Sequence, residues 1–90
     1  MNIKFILTGH VQGVGLRYFV YQKAKILNIK GYILNKPDYT VEILACGQSC
    51  DIDSFKRYIL LGNGYSKIEN IEEYIIEDNK NFDDFSIKYY

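Results

Sequence analysis

The chain predicts an α+β sandwich, two helices packed on one face of an antiparallel sheet of four strands with a short fifth strand appended. Three observations carry this. Several short segments alternate apolar and polar residues, as half-buried strands do. Two other segments repeat their apolar residues every three or four positions, which lays them along one helical face. The segments follow in the order strand, helix, strand, strand, helix, strand, which is the split β-α-β arrangement.

Asn2 to Thr8 alternates imperfectly, with Ile3, Phe5 and Leu7 on one face and Ile6 on the other. A central strand covered on one side and partly on the other reads this way. Leu16, Val20, Ala24 and Leu27 then form a helical stripe, with Lys23 and Lys25 off it. This helix begins near Leu16 or Arg17, and Asn28 is its stop signal because asparagine tolerates the left-handed conformation. Ile29 to Asn35 is a second strand, with Ile29, Gly31, Ile33 and Asn35 on one face. Lys36-Pro37-Asp38 is a turn, and Tyr39 to Gly47 returns as a third strand, closing a hairpin.

Asp51 is the expected cap of a second helix, with Asp53 adding charge in its first turn and Ile52, Phe55 and Ile59 as its apolar stripe. The cluster Gly62-Asn63-Gly64 ends it. Lys67 to Asp78 is rich in isoleucine and lacks a helical face, so it reads as a strand with an irregular middle. Asn79 to Asp84 is a polar loop, and Phe85 to Tyr89 is the short last strand.

This ferredoxin-like order has a consequence for function. The first and second strands run the same way, with the third expected between them and antiparallel to both. Their ends lie on one rim, about 10 Å apart by two strand spacings. The stretch Gly9 to Arg17, GHVQGVGLR, begins at the first of these ends, and Asn35 stands at the second.

Composition sets the outer limits. Ninety residues make one domain, 1–90, with one core. Lysine and arginine total 11 against 11 aspartate and glutamate, so no overall field draws the chain to nucleic acid or to an anionic membrane. Cys46 and Cys50 have no disulfide framework around them, which fits a reduced, cytoplasmic chain. As metal ligands they would need two more partners, and the only histidine is His10, so no metal and no cofactor is expected. No apolar run reaches membrane-spanning length, and the N-terminus lacks the features of a signal peptide.

Within Gly9 to Arg17, three glycines fall in seven residues between a strand and a helix. Glycines let backbone N–H groups turn inward, and the helix offers its unpaired N-terminal donors to the same place, which makes an anion cradle. Arg17 adds a planar fork of donors that matches two phosphate oxygens. Asn35 carries an acceptor and a donor, so it can orient a water without taking its proton. No acid or base is placed nearby by any spacing rule. A phosphate ester needs its alkoxide protonated or metal-bound on leaving. An acyl phosphate does not, because its carboxylate leaving group has a pKa of roughly 4 to 5. Positioning and charge stabilisation then supply most of the catalysis.

The stretch Gly9-His10-Val11-Gln12-Gly13-Val14-Gly15-Leu16-Arg17 resembles the acylphosphatase signature, glycine-x-valine-glutamine-glycine-valine-x-phenylalanine-arginine. Gly31-Tyr32-Ile33-Leu34-Asn35, followed by Val41-Glu42-Ile43 and Gly47, is similar to the second signature of that family. The resemblance spans essentially the whole chain, down to Phe85-Ser86-Ile87-Lys88-Tyr89. It implies a metal-free hydrolase that cleaves acyl phosphates to a carboxylate and inorganic phosphate. Under it, Arg17 binds the phosphate, Asn35 orients the attacking water, and the backbone N–H groups of Gln12, Gly13, Val14, Gly15 and Leu16 cradle the phosphate. Leu16 stands in place of the usual phenylalanine. Tyr39 stands where the family often has glycine, and Lys36-Pro37 flank Asn35.

Other readings stay open on residues alone. Arg17 also fits a solvated arginine at a helix start, although a cation there opposes the helix dipole. Asn35 fits a simple turn residue before Pro37 equally well. His10 reads as an exposed loop residue, and the nine tyrosines as core edges and strand faces. The alternatives to an enzyme are a non-catalytic domain of the same fold that binds acyl or carbamoyl phosphate, a folded but inactive member, and an RNA-binding module. Against the last, the third strand, Thr40 to Cys46, has no aromatic and no basic residue. The chain's size as one unit leads us to expect a free-standing monomer with small-molecule partners, acyl phosphate and inorganic phosphate.

Overall fold

A computed structural model of the chain describes residues 1–77 and 81–89. The elements are β1 (Asn2–His10), α1 (Leu16–Ile26), β2 (Lys30–Asn35), β3 (Val41–Cys46), α2 (Ser49–Leu61), β4 (Lys67–Ile75) and β5 (Phe85–Lys88). They form one five-stranded sheet in the order β4-β1-β3-β2-β5. β3 lies between β1 and β2 and pairs antiparallel with each, which is the expected split arrangement. The fifth strand makes the sheet mixed, because β5 runs parallel to β2. Residues 78–80, which belong to the expected end of the fourth strand and the polar loop after it, lie outside the described residues.

The core follows the sequence stripes. Phe5 and Leu7 of β1, Leu16, Val20 and Ala24 of α1, Ile33 of β2, and Ile52, Phe55 and Ile59 of α2 are all buried in one cluster. The short β5 is part of that core, since the fully enclosed Phe85 meets the Phe55 ring edge-on at 5.9 Å. The tyrosines meet the expectation in part, since Tyr21 packs at the edge of the core and Tyr32 and Tyr74 stand on strand faces. None of those described is buried, and Tyr18, Tyr39, Tyr65 and Tyr89 are exposed. Their hydroxyls need partners, and the surface supplies them at low cost.

Several boundaries shift for physical reasons. β1 runs on to His10 because β4 pairs with it that far, after a register jump in which Thr8 faces Asn70 and Gly9 faces Ile68. Glu69 is the extra residue of that bulge, so the irregularity of the fourth strand lies near its start and not in its middle as expected. α1 ends at Ile26, and Asn28 adopts the left-handed conformation expected of it (φ 55°). The cap of α2 is Gln48, not Asp51, and Ile52 N–H closes the first turn onto the Gln48 carbonyl at 3.0 Å. Asp51 sits in that first turn, where the helix dipole favours a carboxylate, and Asp53 lies beyond it. Among the described residues, no helix is long and apolar enough to cross a membrane.

Candidate active site

The loop between β1 and α1 closes over the rim where β1 and β2 both end. Gly13, Gly15, Leu16 and Arg17 line a pocket of about 300 Å³ with Asn35. Val11, Tyr18, Ile87 and Tyr89 complete its wall. Strand order predicts that the start of the loop and Asn35 share this rim, and the loop's path over the rim brings Arg17 to the same pocket. A larger hollow of about 470 Å³ opens at the other rim, beside Lys30 and the start of α2, and holds none of the loop residues.

The glycines of the stretch do two different things. Gly9 is a strand residue at the β1/β4 bulge, where a Cβ would lie 2.3 Å from the Lys67 carbonyl oxygen and 2.8 Å from the Glu69 nitrogen. Its role is to let β4 approach. Gly13 and Gly15 have left-handed φ values of 74° and 76°. A Cβ on Gly13 would meet no atom within 4 Å, and one on Gly15 only Asn63 Nδ2 at 3.5 Å. These two set the turns of the loop where it lines the pocket.

Gly15 caps α1, so no side chain satisfies the helix's first N–H groups, and no acidic residue stands in its first turn. That end carries unpaired donors and a partial positive charge. Arg17 adds a full positive charge to it. The Arg17 guanidinium lies 5.1 Å from the centre of the Tyr89 ring, a cation–π contact that holds it from the far side. Together these groups make an electropositive wall suited to a phosphoryl group.

Asn35 ends β2 on the face turned toward the helices, in ladder register with Val41. Its Oδ1 is buried and accepts no hydrogen bond from the described residues. A buried acceptor without a partner is rare in native folds and marks a place to look for a ligand or a bound water.

The loop is tied to its neighbours from two sides. Gln12 Nε2 donates to the carbonyls of Lys36 at 2.8 Å and Thr40 at 2.9 Å, which fastens the loop to the hairpin that carries Asn35. Asn63, in the turn after α2, donates from Nδ2 to the Val14 carbonyl at 2.7 Å. The hairpin turn is itself held by Asp38. Its Oδ1 accepts from Thr40 Oγ1 at 2.6 Å and from Thr40 N–H at 3.1 Å, and these bonds, the hydroxyl's first, lower the Asp38 pKa.

Of the five residues expected to offer backbone donors, Gly13, Gly15 and Leu16 line the pocket. Gln12 and Val14 do not. The Gln12 side chain spans to the hairpin, and the Val14 side chain packs against the core. His10 is the last residue of β1, paired with Lys67, and not a loop residue. Asn63 and Tyr89 were not singled out by sequence reading. Tyr89 lies within the closing segment of the family resemblance, but nothing in the spacing of residues marks Asn63.

The acylphosphatase family model matches residues 3–87. An acylphosphatase of Caldanaerobacter subterraneus subsp. tengcongensis is 44% identical over 81 residues, which cover 90% of both chains. The crystal structure of acylphosphatase from Bacillus subtilis superposes with a TM-score of 0.94 at 35% identity, covering 98% of each chain. HypF of T. kodakarensis matches with a TM-score of 0.88 at 32% identity, over 100% of this chain and 12% of that one. With family match, relatives and fold in agreement along nearly its whole length, the chain belongs to the acylphosphatase family.

Proposed function

We propose that the chain, acting as one domain over residues 1–90, hydrolyses acyl phosphates to a carboxylate and inorganic phosphate. The observation that carries this is the sharing of one pocket by Arg17, the open glycine loop and the buried, unpartnered Oδ1 of Asn35. In this reading the N–H groups of Gln12 to Leu16 and the Arg17 fork hold the phosphoryl oxygens. Gly13, Gly15 and Leu16 have the strongest support as donors, since they line the pocket. Arg17 is a point of fixed charge where negative charge is concentrated in the transition state.

Asn35 Oδ1 accepts a hydrogen bond from the attacking water and aims its lone pair at phosphorus. The P–O bond to the acyl oxygen breaks, and its electron pair leaves on the carboxylate, which needs no proton. Both protons of the water end on phosphate oxygens, since an amide cannot take them. Atoms and charge balance without a general base. A preformed site then supplies orientation, the main contribution such a reaction needs.

Free cysteines at 46 and 50 support a cytoplasmic protein, and zero net charge supports small-molecule partners over nucleic acid. The likeness to HypF, whose chain is about eight times longer by the 12% coverage, supports a second reading, a phosphate-binding unit of a larger assembly. Release of phosphate from acetyl phosphate by the purified protein, in the presence of chelator, decides between them. No turnover above the spontaneous rate overturns the enzymatic reading.

A further inference from the structure

Asn63 lies 49 positions from Val14 in sequence, yet the two are joined. The Asn63 side chain uses both ends. Its Oδ1 accepts the N–H groups of Tyr65 at 3.1 Å and Ser66 at 3.0 Å, which builds the turn between α2 and β4. Its Nδ2 donates to the Val14 carbonyl at 2.7 Å. The amide cannot be reversed, because that would set an NH₂ group against two N–H donors and an oxygen against a carbonyl.

The bond to Val14 has a consequence across the peptide plane. The chain has no cis peptide bond among the described residues. In a trans peptide the C=O and the following N–H point to opposite sides. A Val14 carbonyl held toward Asn63 therefore holds the Gly15 N–H away from it. Gly15 lines the pocket. The Val14–Gly15 plane is bordered by a glycine in the left-handed region, where little resists its turning over. Turned over, it would present the Val14 oxygen, an electronegative atom, to the anion.

We propose that Asn63 is a positioning residue for phosphate binding. By pinning the Val14 carbonyl it keeps the Gly15 N–H aimed into the pocket, so the α2–β4 turn sets the affinity of a cradle to which it adds no ligand of its own. The geometry suits this, because the turn is anchored at both ends. α2 precedes it, and Lys67, the first residue of β4, pairs with His10 at the start of the loop. The inference rests on the phosphate-binding reading of the pocket given above.

Two variants separate the two jobs of the side chain. Asn63→Asp keeps an acceptor for Tyr65 and Ser66 and loses the donor to Val14, at the cost of an added charge. Asn63→Ala is neutral and loses both; Asn63→Gly replaces it if it does not fold. Inorganic phosphate is titrated into the full chain, followed by the Gly15 amide resonance in ¹H–¹⁵N spectra, and KM and kcat are measured with acetyl phosphate. The parent is expected to show a large Gly15 shift on binding. In both variants the phosphate Kd and KM rise about fivefold, the value of one neutral hydrogen bond, the Gly15 shift shrinks, and kcat changes less than KM. Unchanged phosphate affinity in both overturns the proposal. A change in Asn63→Ala alone assigns the effect to the turn, and a change in Asn63→Asp alone assigns it to charge; either result also overturns it. A parent that binds no phosphate overturns the pocket reading itself, and is distinguished by needing no variant.

Discussion

Replacing Asn35 with alanine tests the site through a conflict between stability and function. Oδ1 of Asn35 is buried and unpaired among the described residues. Burying an unsatisfied polar group costs about 1–3 kcal/mol, which is the upper bound on the relief from Asn35→Ala, because a pocket water bonded to Oδ1 removes the penalty. The backbone bonds of the ladder to Val41 are unaffected. Asparagine and alanine are both poor strand formers, so propensity changes little. Against the relief stands the small loss of packing where the amide is deleted. The net expectation is a melting temperature equal to the parent's or higher by up to about 8 °C, since 1 kcal/mol corresponds to roughly 4–8 °C in a domain of this size.

Turnover moves the opposite way. Without Oδ1 the attacking water is no longer aimed, and misplacement of a reacting group costs about 10²-fold. Phosphate affinity stays at the parental value, because the cradle lies on the loop and Arg17. Calorimetry or circular dichroism melting, initial rates with acetyl phosphate and a phosphate titration measure the three quantities. A variant that melts well below the parent and keeps most of its turnover would refute the reasoning, and would leave Asn35 as a structural turn residue before Pro37.

Arg17→Ala is expected to abolish inhibition by inorganic phosphate, and Arg17→Lys to restore only part of it, because a lysine supplies charge but not a bidentate fork; phosphate that inhibits the alanine variant as well as the parent refutes the cradle. Tyr39 is exposed and left-handed (φ 68°), a conformation that costs a residue with a side chain about 1–2 kcal/mol, part of which glycine's entropy takes back. Tyr39→Gly should therefore raise the melting temperature by a few degrees, and a fall would show that the tyrosine ring stabilises the turn. Asp38 titrates below its ordinary value of 3.8 through its bonds to Thr40. A depressed folded pKa means stability that is present above the ordinary value and lost as pH falls through the folded one. Thr40→Val removes the hydroxyl donor, so the Asp38 carboxyl, followed by NMR, should titrate closer to 3.8 and the acid-side loss should shrink; an unchanged titration refutes the assignment.

Sequence patterns went furthest where the physics is local or follows from strand order. The stripe Leu16, Val20 and Ala24 is buried as its spacing requires. The sharing of one rim by the start of the Gly9–Arg17 stretch and Asn35 follows from the order of the elements, because two parallel strands flanking a third end on one rim, whereas the curl of the loop that brings Arg17 there does not. What spacing could not show are contacts between distant segments. Gln12 reaches 24 and 28 positions along the chain, and Asn63 reaches 49. Rules of three and four residues do not extend to them. The direction of β5 was illegible for a similar reason, since alternation marks a strand and not its partner. The cap of α2 was misread because aspartate is the better capping residue, whereas the helix already starts two residues before Asp51, at Ser49.

The stretch from Gly9 to Gly15 shows how one residue type can serve two demands that only coordinates separate. At Gly9 the demand is negative, since a Cβ would sit inside the backbone of β4. Any side chain there breaks the pairing of β1 with β4 and lets the start of the loop drift from the sheet. At Gly13 and Gly15 there is room for a Cβ, and the demand is conformational, a left-handed backbone where the loop lines the pocket. The first glycine fixes where the loop begins and the other two fix how it turns. A cradle that relies on backbone donors has no side chain of its own to adjust its aim. On the proposed reading its accuracy then depends on what grips the loop from outside, the Gln12 side chain reaching to the hairpin of Asn35 and the Asn63 side chain bonded to the Val14 carbonyl.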